Sequence, residues 1–160
     1  MKDEPDRELD RIDRQILDAL QADGRLTTSE LAEKVSLSQS PCWRRVQLLE
    51  RRGFITGYYA RLDRKRLGLS VHGFVCLRME NHTPRVADSF ERQVIGLPEV
   101  VACQNLSGMY DYQLEVVAAD HEGFAKLVRE KIRALPGVKD IYTSFTLREI
   151  KAGGALPVRR

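Results

Sequence analysis

The chain of 160 residues, 42% of them apolar, can build one large or two small domains with real cores, and it holds no run of about 18 apolar residues that would span a membrane. A net charge of +3 says little by itself, but residues 1–37 carry 6 basic and 10 acidic side chains while residues 38–66 carry 8 basic against 2 acidic. A local basic stripe is what a phosphate backbone responds to, although a solvated helix face reads the same way.

The opening stretch MKDEPDRELDRID is acidic and polar, unlike a signal or transit peptide. Leu9, Ile12, Ile16, Leu17 and Leu20 then recur at helical spacing, which predicts a first helix stopped near Asp23-Gly24. Thr27-Thr28-Ser29-Glu30 is a capping box, and Leu31, Ala32 and Val35 give the short second helix its buried side. Ser36-Leu37-Ser38 makes the turn. In a third helix Cys42, Val46 and Leu49 face the other two, and Pro41 is tolerated because it falls in the first turn.

Three closely linked helices with a basic third one, opened by small polar residues, are what a helix-turn-helix needs to enter a DNA major groove. The outer face carries Ser40, Arg44, Gln47 and Arg51, flanked by Gln39 and Trp43. Recognition helices read bases mainly with their N-terminal half, so Gln39, Ser40, Trp43 and Arg44 are the candidates for base edges, and the later arginines for phosphates. Trp43 reads equally well as a core or dimer-contact residue. After Gly53, FITGYYARL has the aromatic and β-branched content of a strand.

Residues 63–70 read as a charged linker between a first domain, residues 1–62, and a second, residues 71–160. The second contains an internal repeat. A helical stripe of Val86, Phe90 and Val94 runs into Leu97-Pro98-Glu99-Val100 and a strand. A second stripe of Phe124, Leu127, Val128 and Ile132 runs into Leu135-Pro136-Gly137-Val138 and another, the two Leu-Pro pairs repeating at a spacing of 38 residues. Strands over 71–80 and 110–118 complete a β-α-β-β-α-β order. The fold class is α+β: a winged-helix-like helix-turn-helix domain followed by a ferredoxin-like domain. The sheet face without helices needs cover, and a second subunit is the simplest source.

Ser107-Gly108-Met109-Tyr110-Asp111-Tyr112 joins two strands, with Gly108 able to take a positive φ. Asp111 is positioned to receive the ammonium of a small ligand; as a plain turn residue it would only stabilise its own hairpin. Cys42, Cys76 and Cys103 are an odd, widely spaced set without metal-binding spacing, which fits a reducing cytoplasm and three small buried hydrophobes.

LDRIDRQILDALQADGR, LAEKVSLSQSPCWRRVQLLERRGFITGYYARLD, SGMYDY and LPGV together resemble the leucine-responsive/asparagine-responsive (Lrp/AsnC) regulators over about residues 9–151. The resemblance implies a helix-turn-helix joined to a ferredoxin-like domain that dimerises and assembles further, into tetramers or octamers. It implies double-stranded DNA as partner and a small effector, an amino acid, between subunits, with no other cofactor and no metal. On that likeness Ser38, Ser40, Pro41, Cys42, Arg45 and Val46 match the recognition-helix motif, which makes the DNA-binding set Gln39, Ser40, Trp43, Arg44, Arg45 and Arg51. Gly108, Tyr110 and Asp111 match the effector turn, Met109 is placed in the effector-binding set with them, and Ser144 and Thr146 are assigned to the last strand bordering the same pocket. Met109 stands where many relatives carry a polar or acidic residue.

Two other readings compete. Some proteins resembling this family are haem-precursor (tetrapyrrole) decarboxylases, but His72, His82 and His121 show no clustering in the sequence. A winged helix serving only as a protein-interaction module is the third.

Overall fold

Three helices open the chain: α1 (Arg11–Ala22), α2 (Thr28–Lys34) and α3 (Gln39–Arg51). They come from a computed structural model in which residues 8–158 are described. Asp10 caps α1 by accepting the Asp13 N–H at 2.9 Å, while the Asp13 carboxylate accepts the Asp10 N–H at 3.3 Å. The expected box on α2 forms, Thr27 Oγ1 accepting from the Glu30 N–H and Glu30 Oε2 from the Thr27 N–H. That backbone bond and the Thr27 hydroxyl hold the Glu30 carboxyl below its ordinary range. Between α2 and α3 the Leu37 N–H donates to the Ala32 carbonyl and the Ser36 N–H to that of Glu33. This is a Schellman stop with Ser36, at φ +55, where glycine is usual. Ile16, Leu17, Leu31, Ala32, Val35, Cys42 and Leu49 make the core of this unit.

Residues 54–62 form no strand, contrary to the expectation from their aromatic and β-branched content. The first unit has no other strand among its described residues, so no ladder is available to hold the segment extended.

The ferredoxin-like part runs β1 (Val71–Met79), α4 (Pro84–Ile95), β2 (Val100–Asn105), β3 (Tyr112–Ala118), α5 (His121–Leu127) and β4 (Val138–Phe145). The sheet order is β2-β3-β1-β4 with every pair antiparallel. The apolar stripes of α4 and α5 lie on one face with Val75, Leu77, Leu114 and Val116. A π-helical turn, Val128–Ile132, follows α5, and the longer step brings Ile132 back to the buried side after Leu127. Gly73 lies under α5, where a Cβ would stand 2.8 Å from the Ser144 carbonyl and 3.2 Å from the Phe124 ring.

Contacts divide the chain differently from the expected boundaries. The tail from Lys151 on belongs with the residues up to Arg61, and the second unit is Leu62–Ile150. Gln21 exchanges two hydrogen bonds with the backbone of Leu156, and Arg61 Nη2 donates to the Ala152 carbonyl at 2.7 Å. The expected linker is ordered within the second unit. Asp63 Oδ1 accepts from the Lys65 and Arg66 N–H groups, and Arg64 Nη1 donates to the carbonyls of Leu69 and Ser70. Among the described residues no helix is long and apolar enough to cross a membrane.

Candidate nucleic-acid interface and effector turn

Helical spacing sets which side of α3 is available. Cys42 and Leu49 are buried, and the opposite side presents Ser40, Arg44 and Arg51, all exposed, with Gln47 half-buried. Gln39 stands at the helix start and donates from Nε2 to Ser29 Oγ at 3.2 Å, which ties α3 to α2. Trp43 is 49% exposed and borders a shallow cleft with Leu26, Leu31 and Tyr58, so it flanks the outer face.

Arg45, in the expected DNA-contacting set, is also paired within the chain. Its Nη1 lies 2.7 Å from Asp10 Oδ2 and 2.6 Å from Asp13 Oδ1, joining α3 to the N-terminus of α1. The Asp10 hydrogen bond, with help from Asp13, raises the guanidinium above its ordinary range. A sequence signal for this existed, because Arg45 follows Cys42 by three residues and precedes Leu49 by four, on the core side of the helix.

The turn before β3 is closed by the Leu106 N–H donating to the Asp111 carbonyl at 2.8 Å, with Gly108 at φ +133. Asp111 Oδ2 accepts the Met79 N–H at 2.7 Å, so the carboxylate locks the end of β1. Its Oδ1 lies 3.7 Å from His82 Nδ1. Met109 is 70% exposed at the tip, and the Tyr110 ring packs 5.1 Å from that of Tyr142. Beside the turn is a hollow of about 330 Å³ lined by Met79, Asn81, His82, Glu91, Asn105 and Tyr112. Glu91 Oε1 accepts from the Tyr112 hydroxyl at 3.1 Å, and burial, then this bond, pushes the phenol up. Sequence reading does not place His82, Glu91 and Asn105 beside this turn, since nothing local signals that α4 and β2 meet there.

Ser144 and Thr146 are not brought to this turn within one chain. Ser144 pairs with Phe74, and the Thr146 N–H, just beyond β4, donates to the His72 carbonyl. Asp111 sits beside Leu77, five residues along β1 from His72, or about 17 Å at the rise of an extended strand. Because β4 runs antiparallel to β1, its C-terminal end falls at the opposite end of β1 from the turn. There the Thr146 hydroxyl meets His72 Nδ1 at 2.9 Å, and His72 Nε2 meets Glu115 Oε1 at 2.8 Å.

His72, His82 and His121 stand apart, the last stacked edge-on against Phe145. Cys42 is buried and Cys76 half-buried, but Cys103 is exposed on β2, unlike the buried hydrophobe expected. Among the described residues no group of three or more His, Cys, Asp or Glu side chains could hold a metal.

The profile described as the Lrp/AsnC ligand binding domain matches residues 72–156, and that of a winged helix-turn-helix DNA-binding domain matches residues 9–56. The chain belongs to the Lrp/AsnC family. It is 40% identical to the leucine-responsive regulatory proteins of Escherichia coli K12 and Salmonella typhimurium over 158 residues, covering 99% of this chain and 96% of theirs. A transcriptional regulator from Neisseria meningitidis, solved as its L-Met complex, is 37% identical and superposes with a TM-score of 0.89 over 94% of this chain and 97% of its own. An AsnC-family regulator from Agrobacterium tumefaciens is 36% identical with a TM-score of 0.88 at the same coverages. This Lrp/AsnC member is therefore a DNA-binding transcriptional regulator that carries the family's ligand-binding domain.

Proposed function

We propose that this regulator reads operator DNA through the exposed side of α3 and answers to an amino acid bound near the Gly108–Asp111 turn. The observation that carries the DNA half is the segregation on α3: Ser40, Arg44 and Arg51 stand outward with no core role, while Arg45 is spent on α1. Gln39 and Ser40 are then the nearest residues to base edges, Arg44 serves a base or a phosphate, and Arg51 a phosphate. Trp43 flanks this surface as an apolar contact.

For the effector, Gly108, Met109, Tyr110 and Asp111 form the receiving turn, and the carboxylates of Asp111 and Glu91 supply the negative charge that an α-ammonium seeks, with His82 beside Asp111 Oδ1. Leucine and methionine are the first amino acids to try, since one relative is named for leucine and another was solved with L-Met. Ser144 and Thr146 contribute to such a pocket only from another subunit, because in their own chain they lie at the far end of β1. The protein works as a homo-oligomer in the cytoplasm, its helix-free sheet face (Phe74, Cys76, Tyr142) covered by a second copy.

Thermal shift against each of the common amino acids tests the effector assignment. A stabilising ligand should lose its effect in Asp111→Asn, and a ligand that stabilises both proteins equally would move the site elsewhere.

A further inference from the structure

The tail has a built seat. Gln21, in the last turn of α1, grips Leu156 with both ends of its amide: the Leu156 N–H donates to Oε1 at 2.6 Å and Nε2 donates to the Leu156 carbonyl at 3.1 Å. These are the two bonds a neighbouring strand would give, supplied by one side chain. Leu17 and Leu20 of α1 face Phe54 and Ile55 across a groove whose remaining space is about 440 Å³, and the tail runs along it. Val158 packs against the core of the unit, while Leu156 is 74% exposed. Leu156 is thus held by its backbone and Val158 by its side chain. Pro157 lies between them and brings no N–H that would need a partner.

We propose that this groove is a peptide-binding site of the helix-turn-helix unit and that the chain's own segment 155–158 is its ligand. The docked segment makes a second tether. The chain crosses between its two units once after Arg61 and again after Ile150, so with the tail seated β4 is connected to α1 by residues 146–154, independently of residues 62–70. The helix that receives the tail is the one whose Asp10 and Asp13 hold Arg45 of α3.

A chain ended after Gly154 and a fluorescent peptide of residues 155–160 test this. The peptide should bind the shortened chain saturably, and at least about tenfold more weakly the full chain, where the tail already occupies the Gln21 seat. Gln21→Ala in the shortened chain should weaken binding about tenfold through loss of two hydrogen bonds. Should the shortened chain not fold, hydrogen exchange on the full chain reads the same contact. Gln21→Ala should speed exchange of the Leu156 amide and leave the β1 and β3 amides unchanged. Equal binding to both chains, binding to neither, or unaltered Leu156 exchange would overturn the proposal. Leu156 protection that disappears on dilution would place a second copy's tail in the groove and overturn the assignment within one chain.

Discussion

The Arg45 guanidinium lies 2.6 Å from the carboxylate of Asp13, a side chain only 7% exposed, so an arginine of the recognition helix acts as a strut to α1. Arg45→Ala removes the cation and leaves Asp13 nearly buried without it. The helix-turn-helix unit should lose about 1–3 kcal/mol, less than a fully buried pair because Arg45 keeps solvent contact. Arg44→Ala should leave stability within about 0.5 kcal/mol and instead weaken DNA binding, with the salt slope falling by about 0.9 if its contact is to a phosphate. Chemical denaturation and a salt series on both variants separate the two roles.

Asp111 carries a structural load besides any ligand. Asp111→Ala orphans the Met79 N–H and should cost about 1–3 kcal/mol. Asp111→Asn keeps a carbonyl acceptor for Met79 and removes only the charge, so it should fold like the parent and lose the effector. Denaturation midpoints alongside ligand titration distinguish the pair.

Tyr58, buried on one side and bonded through its hydroxyl to Glu50 at 3.0 Å, has its phenol pushed up to about 12. The folded chain favours the neutral phenol over the ordinary value of 10, so this contribution is present below pH 10 and fades as pH rises toward 12. Tyr58→Phe should therefore flatten the alkaline loss of stability in that window, and should remove a late step from the tyrosinate absorbance titration.

Gly137 takes φ +76, and a Cβ there would stand 2.4 Å from Val86 Cγ1. Gly137→Ala should destabilise the ferredoxin-like unit by about 2 kcal/mol or more, through strain and overpacking together. The corresponding position of the first repeat is Glu99, whose Oε1 meets Lys131 Nζ at 2.8 Å. Glu99→Ala should cost less, because that pair is partly solvated. Thermal unfolding of both variants checks the ranking.

Sequence periodicity carried the three helices, the four strands and the split β-α-β-β-α-β order, because each element writes its buried face at its own spacing. The Thr27–Glu30 cap and the Leu-Pro repeat were legible for the same local reason. The pairing of Arg45 with Asp10 and Asp13 is less legible, because a basic residue on a basic helix reads as a phosphate contact until the acidic N-terminus of α1 is known to lie beside it. The strand expected over 54–62 failed on a non-local requirement, a pairing partner. The tail's attachment to Gln21 spans 135 residues, and the separation of Thr146 from Asp111 follows from strand direction, so neither leaves a mark in a short window of sequence.

The most direct measurement is fluorescence anisotropy of the gene's own upstream duplex against a scrambled duplex, across a salt series, with and without L-leucine and L-methionine. The account predicts preference for the upstream duplex, a steep salt dependence, an affinity that shifts with one of the amino acids, and weaker binding in Arg44→Ala. Equal binding to both duplexes at low salt, unchanged by Arg44→Ala, would contradict it.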